Sequence, residues 1–242
     1  MKLTVIGCGD AFGSGGRLNT CFYIKTEKIG LLIDCGATSL PGLKLRGIEV
    51  EGIDTIILSH FHGDHYGGVP FLLLDAMSKG RKKRINIISP PGGKERISAL
   101  LDLLYPGTVV LPKLDIAFIE YTSAEDLNVD GLNLMAYPVI HSEAALPHGL
   151  RIKLNDKIIC YSGDTSWTDV LFPLSDGADL FICECNFYTT EAKGHINYRE
   201  LEPKLGDFNC KKILLTHFDA EMLLQLADLN VTCATDGLEI SV

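Results

Sequence analysis

His60-Phe61-His62-Gly63-Asp64-His65 sets four side chains able to bind a metal ion within six residues. The segment directly follows Thr55-Ile56-Ile57-Leu58-Ser59, an apolar and β-branched run with the pattern of a buried strand. The loop leaving such a strand is where sites usually sit. In an extended loop His60 and His62, two apart, point their imidazoles the same way, and Gly63 lets the chain turn so that Asp64 and His65 reach an adjacent position. Nitrogen and oxygen donors together suit Zn²⁺ and other first-row ions. The lack of thiolates argues against a purely structural zinc.

A hydrolytic centre with two ions takes roughly six to seven protein ligands, so further ligands are sought at the ends of other apolar strands. Three positions answer. His141 follows Leu134-Met135-Ala136-Tyr137-Pro138-Val139-Ile140, Asp164 follows Ile158-Ile159-Cys160-Tyr161-Ser162-Gly163, and His217 follows Ile213-Leu214-Leu215-Thr216. Singly, each reads equally well as a capping or surface residue; as a set they share one context.

Outward from these segments, strand patterns recur at Lys2 to Gly7, Thr20 to Lys25, Leu31 to Asp34, Ile85 to Ser89, Ile116 to Tyr121, Leu132 to Val139, Leu150 to Leu154, Ile158 to Tyr161, Leu180 to Cys183 and Ile213 to Thr216. Helical spacing predicts helices over Asp64 to Ser78, Lys94 to Tyr105 and Asn197 to Leu205, and more weakly over Ser166 to Leu174. Hairpin spacing early and β-α alternation later imply two sheets covered by helices, an α/β (α+β) fold. No linker, repeat or charged tail marks a boundary, and a single domain over 1–242 is expected.

With 46% hydrophobic and 22% charged residues the chain can bury a full core. Met1 to Gly7 resembles neither a signal peptide nor a membrane span, so a soluble, cytoplasmic protein with no membrane contact is expected. Eight scattered cysteines without a C-x-x-C pair read as reduced thiols, with Cys183 and Cys185 as core packing rather than ligands. The net charge of −9 opposes non-specific binding of a polyanion. Arg81-Lys82-Lys83-Arg84 runs against that balance; it reads as a solvated loop and is the place where RNA contacts would fall. Asp10 to Gly16 is glycine-rich but lacks the G-x-G-x-x-G register and reads as a flexible rim, not a dinucleotide loop.

The H-x-H-x-D-H segment, followed by a later His, Asp and His at strand ends, resembles the metallo-β-lactamase-fold hydrolase superfamily across nearly the whole chain. Gly7-Cys8-Gly9-Asp10-Ala11-Phe12 with Arg17-Leu18-Asn19-Thr20, then Ser162-Gly163-Asp164-Thr165, Cys183-Glu184-Cys185-Asn186-Phe187, Gly194-His195 and Leu215-Thr216-His217-Phe218, are similar to ribonuclease Z-like phosphodiesterases. The resemblance implies a four-layer αββα sandwich with metals between the sheet edges. His60, His62 and His141 would hold one ion, Asp64, His65 and His217 the other, and Asp164 would bridge them. Two divalent ions are implied, Zn²⁺ first, with Mn²⁺ or Fe²⁺ also acceptable to these donors. Such ions acidify a bridging water, and the resulting hydroxide attacks phosphorus; Asp64 could accept a proton as well as bind metal. The resemblance also suggests a homodimer.

His195 is surplus to the seven ligands, and the resemblance gives it transition-state stabilisation or leaving-group protonation. Glu184, at the end of its strand, could hydrogen-bond His195 and keep it protonated. His148 reads as a structural or rim residue. Ribonuclease Z enzymes grip transfer RNA with a long arm between the counterparts of His141 and Asp164; here Ser142 to Gly163 is consumed by two strands, leaving no room for it. Ile196-Asn197 also stands where that group has two small hydroxylated residues. The expected activity is therefore hydrolysis of a small cyclic phosphate, a nucleotide or a short RNA. A lactone, thioester or β-lactam hydrolase, with Tyr188 or Tyr198 beside a carbonyl oxygen, stays open. So do a tRNA 3′-processing endoribonuclease and a non-catalytic metal-bound sensor.

Overall fold

The computed structural model describes residues 1–242. Its strands are β1 Lys2–Gly7, β2 Cys21–Lys25, β3 Gly30–Ile33, β4 Thr55–Ile57, β5 Ile85–Ser89, β6 Ile116–Glu120, β7 Asp126–Val129, β8 Leu132–Pro138, β9 His148–Leu154, β10 Lys157–Tyr161, β11 Leu180–Glu184, β12 Ile213–Thr216, β13 Thr232–Cys233 and β14 Glu239–Ser241. The α-helices are α1 Ser39–Leu45, α2 Gly63–Tyr66, α3 Val69–Ser78, α4 Gly93–Leu104, α5 Leu171–Ser175, α6 Tyr198–Leu201 and α7 Ala220–Leu223.

The chain forms two compact units, Met1–Gly7 with Leu18–Glu120 and Asp236–Ser241, and Cys8–Arg17 with Tyr121–Thr235 and Val242. Both are discontinuous in sequence, which is why no change of composition marks a boundary. Each carries a seven-stranded mixed sheet, giving the expected α/β class. In the first, the order is β14-β1-β2-β3-β4-β5-β6, antiparallel from β14 to β3 and parallel from β3 to β6. In the second, β7 to β10 pair antiparallel and β10 to β13 pair parallel. The strand patterns follow this division. β4, β5 and β11 are buried along their full length, as parallel strands covered on both faces require, whereas β8 alternates, burying Leu132, Leu134 and Ala136.

Several expected elements differ. The helix over Asp64 to Ser78 is broken into α2 and α3, because Gly68 donates its N–H to Cys35 O at 2.8 Å, and Pro70 sits in the first turn of α3, where its missing N–H costs nothing. Asn197 caps α6 by accepting from Glu200 N at 3.0 Å, and the chain tightens after Leu201 into a 3₁₀ segment with Pro203 near its start. The weak helix over Ser166 to Leu174 shrinks to α5. The short β7, β13 and β14 lack an apolar run and escape a reading by pattern.

The basic run is a solvated loop as expected at Lys82, Lys83 and Arg84, and differs at Arg81. Arg81 is 3% exposed and donates to the carbonyls of Val50, Ile53, Lys83 and Arg84 at 2.6 to 3.2 Å, so it staples a turn. Lys83 pairs with Asp54, and Arg84 with Asp115 at 3.0 Å. In the glycine-rich loop, the Asp10 carboxylate accepts from Phe12 N, Ser14 N and Ser14 Oγ at 3.1, 2.9 and 2.6 Å, consuming donors that a phosphate would need.

Candidate metal centre

In the first unit the ligand segment leaves β4 and runs into α2. His60 and His65 are fully buried and Asp64 is 9% exposed. Ligand atoms of His60 and His62 lie within 4.8 Å of each other, as do those of Asp64 and His65. One carboxylate organises the segment. Asp34, at the end of β3, accepts from Ser59 N and Ser59 Oγ, both at 2.8 Å, and from His65 Nδ1 at 2.7 Å. A carboxylate only accepts here, so His65 carries its proton on Nδ1 and presents the Nε2 lone pair. Because the Ser59 hydroxyl spends its proton on Asp34, it accepts from His60 Nδ1 at 3.0 Å and fixes the same tautomer there. Asp34 itself adopts φ 57°, an uncommon conformation for a residue with a side chain. Gly36 lets the segment approach, since a Cβ on it would stand 2.0 Å from Asp64 O.

In the second unit the candidates follow the ends of three elements. Asp164, after β10, places Oδ2 3.9 Å from His141 Nε2 and 3.4 Å from His217 Nε2, the position of a ligand shared by two neighbours. His141 Nδ1 donates to Gly194 O at 2.7 Å, which again leaves Nε2 as the presented atom. A Cβ on Gly194, at φ 91°, would fall 2.6 Å from that nitrogen. His217, at φ 66°, is pinned by Asn186, whose Nδ2 lies 2.9 Å from its Nδ1 and donates to its carbonyl at 2.8 Å.

Glu184 is the hub of this unit. Fully buried, it accepts from Thr165 N and His195 Nδ1 on Oε1, at 2.8 and 3.0 Å, and from Asn186 N and Ile196 N on Oε2, at 3.1 and 3.3 Å. The expected Glu184–His195 contact is present, and the same carboxylate fixes the residue after Asp164 and the residue that holds His217. Glu184, His195 and His217 also lie within 4.8 Å, but four donors engage the carboxylate lone pairs and mark Glu184 as an orienting group. The His195 ring stacks on His217 with centroids 5.5 Å apart.

His148 lies between Leu146 O and Ser123 Oγ, at 2.9 and 2.8 Å, and burial lowers its pKa. It is structural. Burial also pushes the thiols of Cys183 and Cys185 well up, keeping them protonated within the core.

The sequence reading gave no role to Asp34, Asn186 or Gly194. Asp34 ends an apolar strand as Asp164 nearly does, which is the one signal it offered; the other two stand in motifs that carry the family resemblance, but what they do is legible only through their contacts.

Residues 1–230 match the family described as Anti-Pycsar protein Apyc1. The chain belongs to that family. Among curated relatives of the chain, "Probable metallo-hydrolase YhfI" of Bacillus subtilis is 28% identical, across 90% of this chain and 86% of its own. A ribonuclease Z of Ignicoccus hospitalis is 25% identical, across 90% and 88%. The crystal structure of YhfI, a metallo-β-lactamase-fold protein, superposes with a TM-score of 0.80 at 24% identity, covering 99% of each chain. Human tRNase Z, short form, gives 0.79 at 22% identity, covering 100% of this chain and 99% of its own. The fold of the Apyc1-family chain is thus the metallo-β-lactamase fold.

Proposed function

We propose that the chain is a metal-dependent hydrolase and, more narrowly, a phosphodiesterase acting on a small cyclic phosphate, a nucleotide or a short RNA. His60, His62, Asp64, His65, His141, Asp164 and His217 would hold two divalent ions, with Zn²⁺ the best match to their nitrogen and oxygen donors and Asp164 the shared ligand. The donor set fits. Among the candidate ligands, His60, His65 and His141 give the Nδ1 proton to an oxygen acceptor, the arrangement in which Nε2 binds a metal and the partner fixes the tautomer. Two such ions supply Lewis acidity toward phosphoryl oxygens and acidify water.

The observation that carries the narrower reading is the 3.0 Å bond from His195 Nδ1 to Glu184. It holds a histidine outside the seven ligands in a fixed orientation, and an imidazole so held can move a proton to or from a phosphoryl or leaving-group oxygen. Asp64 can take a proton as well as bind metal. The carbonyl-hydrolase alternative loses support from its tyrosines: Tyr188 and Tyr198 stack on each other at 5.8 Å, and Tyr198 is 4% exposed. Transfer-RNA processing loses support from the interval between His141 and Asp164, which the 3₁₀ turn Glu143–Ala145, β9 and β10 occupy.

The test is turnover of bis(p-nitrophenyl) phosphate against an aryl lactone, with defined metals restored to the apo-protein. Phosphodiester cleavage is expected, slowed on the order of 10²- to 10⁴-fold by His195→Ala with metal content retained. Lactone turnover alone would sink the reading, and metal loss in the variant would sink the role of His195.

A further inference from the structure

The first unit carries a cavity at the end of its sheet away from the ligand segment. It measures about 280 Å³ and is lined by Lys2, Thr4, Tyr23, Lys25, Arg46 and Glu239 among others. Lys25 pairs with Gly30 at the start of β3, whereas Asp34 follows the other end of that strand, about 13 Å further along an extended chain. Strand alternation makes the floor. Lys2 and Thr4 of β1 face Lys25 and Tyr23 of β2, and Thr4 faces Glu239 of β14 on its other side. On the same face Ile6 lies under α1, where a Cβ on Gly42 would stand 2.8 Å from its Cγ2, and the capping residue of that helix, Arg46, forms a wall.

Cations here outnumber their acceptors. Lys2 pairs with Glu239 at 2.6 Å. Lys25 stands directly opposite Lys2 without a carboxylate of its own, and like charges so placed across an antiparallel pair destabilise it. Asp54, whose charge acts on Tyr23, is engaged by Lys83 and by Gly30 N at 3.0 Å. Arg46 forms no ion pair. Its Nη1 donates to Gly42 O at 3.0 Å, but its Nε is buried without an acceptor. Nη2 shares the Nε edge of the guanidinium and lies next to Gly237, where a Cβ would stand 3.4 Å away and crowd it. A guanidinium is charged at every working pH, and an N–H buried without a partner is destabilising until an acceptor reaches it.

These observations set the ligand. In a chain of net charge −9, Lys25 and Arg46 form a local surplus of two positive charges, which a dianion balances. The fork of an arginine matches two oxygens of a phosphate, and the volume sits just under that of sites for larger ligands. We infer that this cavity binds a small phosphate dianion, inorganic phosphate or the phosphate of a compact monoester, on the Nε–Nη2 edge of Arg46 with Lys25 and the Thr4 hydroxyl beside it. The site is separate from the seven candidate ligands, and it stands whether or not the phosphodiesterase reading does.

Nuclear magnetic resonance reads the site directly, because the Nε–H of Arg46 gives a signal of its own. The metal-loaded protein is titrated with inorganic phosphate and separately with glycerol 3-phosphate, at constant ionic strength, with acetate as the monoanion control. A saturable downfield shift of the Arg46 Nε–H is expected, with backbone shifts at Thr4, Lys25 and Gly237. The probe that saturates earlier tells free phosphate from a monoester. Arg46→Lys keeps the charge and removes the fork, and should weaken binding read at those amides at least about tenfold. Lys25→Gln, at the exposed rim, should weaken it about two- to fivefold. The wild-type titration decides the matter even where a variant fails to fold. No saturable change at Arg46 and Thr4, an equal response to acetate, or full affinity in Arg46→Lys would overturn the assignment, as would shifts confined to His60 to His65, which would place the phosphate at the metal centre alone.

Discussion

The two units follow one strand plan, three antiparallel pairings and then three parallel ones, yet they deliver candidate ligands in opposite ways. The first spends a single loop, His60 to His65, after one parallel strand. The second gathers His141, Asp164 and His217 from three separated stretches, and it needs a buried carboxylate with four donors to hold the loops that carry them. In the first unit Asp34 does the corresponding work with three bonds to two residues. Both sets of candidate ligands lean on a buried carboxylate outside the set; the contiguous one needs it at two neighbouring residues, whereas the dispersed one needs it to tie separate loops together.

Where one carboxylate serves a whole contiguous set, its loss should do the most damage. Asp34→Ala leaves Ser59 N–H, Ser59 O–H and His65 Nδ1–H buried without their acceptor, at about 1 to 3 kcal/mol each, so a loss of at least about 3 kcal/mol is expected in chemical denaturation. Metal content should fall with it, because the tautomers of His60 and His65 both trace to that carboxylate. Asp34→Asn, which keeps one oxygen, serves where the alanine variant fails to fold. An unchanged denaturation midpoint together with full metal content would show that the first unit's loop holds itself without Asp34.

The comparison also explains what the sequence could disclose. His60 to His65 is legible because four donors in six residues after an apolar strand is a local pattern, and the strand-end rule extends it to His141, Asp164 and His217. Asp34, Asn186 and Gly194 act through contacts 31, 31 and 53 residues distant, and no period or spacing encodes those. Arg81 shows the converse error. Within a run of four cations it looks solvated, but the carbonyls of Val50 and Ile53 lie beyond the run and bury it.

A smaller effect is expected where only one bond orients a ligand. Gly194→Ala adds a Cβ 2.6 Å from His141 Nδ1 at a φ of 91° that an alanine resists. The carbonyl contact must lengthen or the ring must turn. Loss of such an outer contact weakens metal affinity typically 10- to 100-fold. Competition with a chelator of known affinity measures it, and a change under about threefold would mean that His141 is held by Asp164 without help from the glycine carbonyl.

The smallest effect concerns His148, whose environment belongs to the second unit's packing and not to its ligands. Leu146 O accepts from Nδ1, so the neutral ring presents Nε2 as acceptor to the Ser123 hydroxyl, and a second ring proton would break that bond. Burial lowers the pKa in the folded chain below its ordinary value near 6.5. The unfolded chain therefore binds this proton more readily. The stabilisation is complete above the unfolded pKa and is lost as pH falls toward the folded one, with a slope of at most about 1.4 kcal/mol per pH unit for a single proton. Replacing the ring by an amide in His148→Gln removes that titration, so the wild-type stability advantage over the variant should shrink between about pH 7 and pH 5 in urea unfolding, the pH range over which an ordinary histidine takes up its proton. A gap that stays constant or widens with acid would mean that His148 is charged in the folded chain, and Ser123 would then be its acceptor rather than its donor.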